Sequence, residues 1–247
     1  MEPTDNTKWN GVIKIGGIAA MVAAIVFRRW LSAEVSLLVT SNIIKGVTKT
    51  TPVSILDWFT LLQANKILGL IQLNVLDFIN YALVGLIFLS LFVVLKKNFK
   101  GAATLALLMT FTGIAIYFSS NQSFSIYALA NQYSSISSEA QKSILLAAGE
   151  ALLIQNDPLV FGNGVFWAFM LVNGAGLIYA IIMLSSSTFS RLTSVLGIIA
   201  NGTGLIYFFT VLIKPDLTFL PLSLSAPFLL IWYILIGLKL LKPGAKL

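Results

Sequence analysis

Asn74, Asp77, Asn80 and Tyr81 follow one another at steps of three, three and one, which puts them on one face of a helix. An ionisable group at membrane depth is a functional-site hypothesis by default, because a charge there is costly. A second polar stripe, Tyr117, Asn121, Ser125 and Gln132, runs at steps of four, four and seven, with Asn131 and Tyr133 beside it. Glu150 stands within the apolar stretch 145–154. Brought together, Asn74, Asp77, Asn80, Asn121, Gln132 and Glu150 would line an outward-facing polar cavity. Left apart, they are wet surface on helices that cap a bundle. The depth of Asp77 bears on the choice. At 1.5 Å per residue it lies about 28 Å from Lys96, near the outer interface, where a solvated carboxylate costs little.

Two amides belong to a different pattern. Asn173-Gly-Ala-Gly-Leu-Ile-Tyr179 recurs as Asn201-Gly-Thr-Gly-Leu-Ile-Tyr207. Asn173 with Gly176 and Ala180, and Asn201 with Gly197 and Gly204, each make a small-residue face carrying one amide. Such faces let helix backbones approach closely, and an asparagine in hydrocarbon needs a partner. The spacing predicts that Asn173, Gly176, Asn201 and Gly204 pack two neighbouring antiparallel spans together. The sharper reading is a substrate or ion site lined by both amides. A weaker echo pairs Ile116, Tyr117, Asn121 and Gln122 with Ile126, Tyr127, Asn131 and Gln132.

The residues the chain lacks narrow the chemistry. It contains no cysteine and no histidine. Disulfides, thiolate metal sites and imidazole-ligated haem are excluded, as is nucleophilic catalysis that needs histidine. An intramembrane aspartyl protease needs two facing carboxylates, and Asp77 alone approaches such a position. The glycine-containing strings lack the strand context of a nucleotide loop. The expectation is therefore no enzyme activity, no metal and no other cofactor.

The elements that must position these residues are apolar helices. Of the 247 residues, 57% are hydrophobic and 10% charged, against about 25% charged in soluble domains. A span needs about 20 mostly apolar residues. Six are predicted, near 11–27, 76–95, 101–120, 162–184, 192–213 and 222–241, forming one all-α membrane bundle over 1–247. The formal charge of +7 follows from basic residues at the ends of the apolar runs, as the positive-inside rule expects, and nucleic acid is not an expected partner. With both termini cytosolic, the inner side collects nine Lys and Arg against Glu2 and Asp5, and the outer side seven against seven acids. The tight turn carrying Lys96, Lys97 and Lys100 is the best single indicator, while Arg28 and Arg29 pull the other way.

Connections 28–75 and 121–158 then share the outer side. Ser54 with Asp57 reads as an N-cap opening a helix at Ile55 that runs on toward the second span. Ser138-Glu-Ala-Gln141 reads as a capping box whose helix ends at Asn156-Asp157-Pro158. Both are expected to be amphipathic helices on the membrane surface or over the bundle. The last connection, with Lys214-Pro215-Asp216 and Pro221, should start irregularly.

Asp57-Trp-Phe, Asp77-Phe-Ile-Asn-Tyr81, Lys96-Lys97, Ser120-Asn121, Tyr133, Leu145-Leu-Ala-Ala-Gly-Glu-Ala-Leu152 and Phe189-Ser-Arg-Leu-Thr193 together resemble a family of prokaryotic polytopic membrane proteins designated domain of unknown function 4386. The resemblance spans most of the chain and implies a bundle of six or more spans, with no known activity or cofactor. The expected protein is a non-enzymatic accessory or ligand-binding component of the cell membrane, in contact with lipid and compatible with self-association. The alternative is a small transporter whose polar path is lined by Asp77, Asn173 and Asn201.

Overall fold

Five stretches are long and apolar enough to cross a membrane: Trp9–Val26, Leu76–Ser135, Gly164–Leu184, Arg191–Ile213 and Pro215–Leu241. The structure is a computed structural model that describes residues 9–26 and 52–242, with the backbone alone for Phe219. It contains α1 (Trp9–Val26), α2 (Ile55–Ala64), α3 (Lys66–Gln72), α4 (Leu76–Ser120), α5 (Ser123–Ser135), α6 (Glu139–Asn156), α7 (Gly164–Leu184), α8 (Arg191–Ile213) and α9 (Phe219–Leu241). A 3-10 turn at Pro215–Leu217 precedes α9, the irregular start expected of that connection. No strand occurs among the described residues.

The helix α4 is not a straight rod. At Phe99 the backbone leaves the helical region (φ −133°, ψ 44°), and the chain doubles back. Tyr81 stacks on Tyr117 with ring centroids 4.1 Å apart, Phe78 meets Phe118 at 5.1 Å, and a side chain at Gly85 would press on Ile114. These pairings centre on residues 98–100, so 76–98 and 100–120 form an antiparallel hairpin. The reversal falls at the Lys96, Lys97, Lys100 turn.

Close approach of backbones explains how the long helices assemble. Lipid is as apolar as leucine, so burial alone does not drive helices together in a bilayer; packing and small residues do. On α1, Gly16 lies against Ser90 and Gly17 against Leu240 and Leu241, while Gly237 on α9 receives Met21. The Ser90 hydroxyl donates to the Val12 carbonyl across the first of these contacts, at 2.8 Å. Gly113 on the return limb of α4 packs under Val172 and Leu171 of α7, and α7, α8 and α9 follow as neighbours. The helices thus surround a common centre. It is filled by Phe88, Tyr179 and Trp232, all buried, with Phe88 5.1 Å from Tyr179 and 6.1 Å from Trp232.

The bundle has two unlike ends. One carries Lys14, Lys96, Lys97, Lys100, Arg191, Lys239 and Lys242, and no acid among the described residues. The other carries α2, α3, α5 and α6, with all six described acids and Lys66, Lys142 and Lys214. Trp9 marks the basic end, its ring 4.6 Å from the Lys96 ammonium. Arg28, Arg29, Glu34, Lys45 and Lys49 lie outside the described residues, as do Lys8, Lys246 and both termini.

The four short helices form a cap with its own apolar core of Ile55, Phe59, Leu62, Leu73, Ile126 and Ala130. The Ser54–Asp57 box is complete: the Ser54 hydroxyl accepts from the Asp57 N–H, and the Asp57 carboxylate accepts from the Ser54 N–H. The helix it opens does not run on into α4, contrary to expectation. Asn65 ends α2, and its side chain accepts from the Leu68 N–H to begin α3. Asn74, in the left-handed region at φ 66°, then separates α3 from α4; asparagine tolerates that conformation better than most residues. Ser138 does begin α6, but its side chain makes no cap hydrogen bond, so the capping-box pattern there located the helix start without forming the box.

Candidate functional site

Where α3 ends, orphan carbonyls face inward, as the last turn of any helix leaves them. The Leu73 carbonyl is the hub of the site. It accepts from the buried Ser123 hydroxyl at the start of α5 and, at 3.4 Å, from the amide of buried Asn156 at the end of α6. Asn156 in turn accepts from the Gln122 N–H at 2.8 Å. The three chain reversals around Leu73, Gln122 and Asn156 are therefore joined by buried polar bonds. Fully satisfied networks of this kind specify one arrangement of the elements they join.

Next to this hub sits the carboxylate singled out in the sequence. Asp77 lies in the first turn of α4, where a negative charge is favoured by the helix dipole. The Tyr117 hydroxyl stands 3.4 Å from its carboxylate and 3.3 Å from the Asn74 carbonyl, and accepts from the Asn121 amide at 2.9 Å. A phenol has one proton to donate, so it serves either Asp77 or Asn74 at a given moment. The Asn121 oxygen accepts from the Ser123 N–H and lies 2.6 Å from the Ser123 hydroxyl, whose single proton serves either it or the Leu73 carbonyl. Asp77 makes no ion pair among the described residues, where Lys142 and Glu139 form the single pair. The Asn80 side-chain oxygen is buried without a partner.

The structure thus gathers Asn74, Asp77 and Asn121 around Tyr117. It does not bring Gln132 and Glu150 to them. Gln132 is exposed on α5. Glu150 is exposed on α6 and accepts from the Ile55 N–H at 3.0 Å, so it caps α2 across the surface. Gly149 beside it lies against Ile55 and Phe59, and this close seat of α6 on α2 fixes where Glu150 points. Two members that spacing did not reveal are Ser123 and Asn156. Asn156 carried a signal only as part of a helix stop, and the Leu73 carbonyl, being backbone, carried none.

Asn173 and Asn201 lie at the contact of α7 and α8, both buried. Each amide donates to its own helix, Asn173 to the Phe169 carbonyl at 2.9 Å and Asn201 to the Gly197 carbonyl at 2.8 Å. They do not bond to each other. Each side chain instead occupies the glycine notch of the facing helix. A Cβ at Gly204 would stand 2.5 Å from the Asn173 oxygen, and one at Gly176 would collide with the Asn201 oxygen. The partner each buried amide needs is supplied within its own helix, which leaves the faces free to interlock.

A cavity of about 220 Å³ opens at the basic end, between the α4 reversal (Val94, Leu95, Lys97, Asn98, Phe99) and the α7–α8 connection (Ser186, Ser187, Thr188). It lies at the opposite end of the bundle from Asp77.

No family model, curated protein or solved structure matches this chain.

Proposed function

We propose that the chain crosses the cell membrane six times, with the basic end in the cytosol, and works as a non-enzymatic accessory or ligand-binding component. The observation that carries the reading is the filled centre. Phe88, Tyr179 and Trp232 occupy the middle of the bundle, and the two mid-bundle amides are each bonded within their own helix and wedged against glycine. A protein built this way does its work at its ends. At the cap end, Asp77 and Tyr117 offer a carboxylate and a phenol held by the Leu73 hub. The lack of histidine and cysteine supports binding over catalysis. Membership of the domain of unknown function 4386 family is part of the same proposal, resting on the residues quoted for it.

The transporter alternative requires a polar route past Asp77, Asn173 and Asn201. The chain is free of cysteine, so Asn173→Cys and Asn201→Cys can each be challenged with a water-soluble maleimide in proteoliposomes. The binding-component reading expects no labelling until the protein is unfolded in detergent. Rapid labelling of both positions in the folded protein would reject it in favour of a path.

A further inference from the structure

We propose that the cavity at the basic end is a site for a phosphate-bearing anion, with Lys97 as its charged contact. Its walls differ in chemistry. Lys97 and Asn98 line it from the α4 reversal, and Ser186, Ser187 and Thr188 line it from the facing connection. Val94, Leu95 and Phe99 are its apolar lining residues. A lining that includes one lysine, one asparagine and three hydroxyl residues suits an oxyanion, which accepts several hydrogen bonds at once.

The setting has the right sign. Seven cations and no acid stand at this end among the described residues, so an anion meets no opposing carboxylate. Lys96 is already engaged by the rings of Trp9 and Phe92, at 4.6 and 5.5 Å. Lys97 makes no ion pair among the described residues, and it is an exposed residue that lines the cavity. Size narrows the ligand class. The volume, about 220 Å³, falls below the roughly 300–1,000 Å³ of pockets for drug-sized ligands, but it accommodates a phosphate group with a small ester substituent. Two sources carry that chemistry: the headgroup of an anionic phospholipid entering from the bilayer edge, and a small soluble phosphate entering from water.

The site rests on the cavity and its charges, and on the proposed function only in placing this end at a membrane surface. The test uses the full-length protein in two arms. In the first, the protein is reconstituted in phosphatidylcholine nanodiscs with and without phosphatidic acid, and retained lipid is counted by native mass spectrometry. In the second, the protein in phosphatidylcholine nanodiscs is titrated with glycerol 3-phosphate, followed by phosphorus NMR. Variants K97Q and K100Q are compared with the parent, and circular dichroism and melting establish that both fold. Lys100 lies on the same turn but does not line the cavity. A cation acting only through the surface field contributes about fivefold in binding constant, equivalent to about 1 kcal/mol.

The proposal expects K97Q to weaken binding tenfold or more in at least one arm, while K100Q changes it fivefold or less. Loss in the lipid arm alone identifies a headgroup site, loss in the soluble arm alone a small-molecule site, and loss in both a site open to either. Equal effects of K97Q and K100Q, or binding in neither arm, would overturn it. That failure would leave the six-crossing reading intact, since side-specific labelling tests it separately.

Discussion

Replacing Gly176 by alanine is expected to do far more harm than adding one methyl group to a lipid-facing helix. The added Cβ would collide with the Asn201 side-chain oxygen and stand 2.6 Å from its Cγ. Real Cβ contacts are not that short, so something must move. Asn201 cannot retreat freely, because its amide is held 2.8 Å from the Gly197 carbonyl and it is only 2% exposed. Overpacking of this kind costs about 1–3 kcal/mol. Asn201→Ala alone removes one satisfied hydrogen bond, a net loss of about 1 kcal/mol, and vacates the volume that the new methyl group needs. The double variant should therefore be about as stable as Asn201→Ala alone, giving a favourable coupling of about 1–3 kcal/mol between neighbours in contact. Gly204→Ala with Asn173→Ala should repeat the result, because that notch is its counterpart, with a clearance of 2.5 Å. The assay is reversible unfolding of the four proteins in mixed micelles, read by circular dichroism. Additivity within about 0.3–0.5 kcal/mol, the figure for independent sites, would refute the interlock.

Other outcomes follow from the cap and the core. Hydrogen bonds from the Ser54 N–H, the Ser54 hydroxyl and the Val53 N–H hold the Asp57 carboxyl below its ordinary value. A depressed carboxyl stabilises the fold above its ordinary titration near pH 4 and loses that contribution as pH falls through the folded value. Acidification should thus lower the protection of the Asp57 and Trp58 amides, measured as exchange relative to the intrinsic rate at each pH, and Asp57→Asn should remove most of that pH dependence. Asn156→Leu leaves the Gln122 N–H without its acceptor, at a cost of about 1–3 kcal/mol. Limited proteolysis should then cut between α5 and α6 faster while α7 to α9 remain protected; uniform loss of resistance would contradict the hub. Trp232→Ala should cost about 3–5 kcal/mol by emptying the centre, and an unchanged melting temperature would mean that the indole does not fill it.

Much of the fold was legible because a span announces itself by length and apolarity, and because hairpin ends carry charge. The reversal at Phe99 sits among Lys96, Lys97 and Lys100 for that reason. The cap was harder. Whether α2 continues into α4 depends on Asn65 capping a new helix and on Asn74 adopting φ 66°, and either residue could have sat on an exposed helix face. The candidate site was legible in part. Helical periodicity put Asp77 near Tyr81, but the meeting of Tyr117 with Asp77 depends on the register of the α4 hairpin. Glu150 and Gln132 shared only polarity with the cluster, and periodicity within one helix says nothing about which neighbour it faces. The amide pair shows the same boundary. Spacing identified the notches of Gly176 and Gly204, while the hydrogen bonds of Asn173 and Asn201 turned inward along their own helices.

The central claim, a hairpin at Phe99 that sends the chain across the membrane six times with its cap outside, is tested most directly by side-specific labelling. Single cysteines at Ser54, Lys97 and Ser187 in this cysteine-free chain are exposed in intact cells to an impermeant maleimide, then again after permeabilisation. Residue 54 should label from outside, and residues 97 and 187 only once the membrane is opened. Labelling of residue 97 in intact cells, or of 54 and 97 from the same side, would contradict the account.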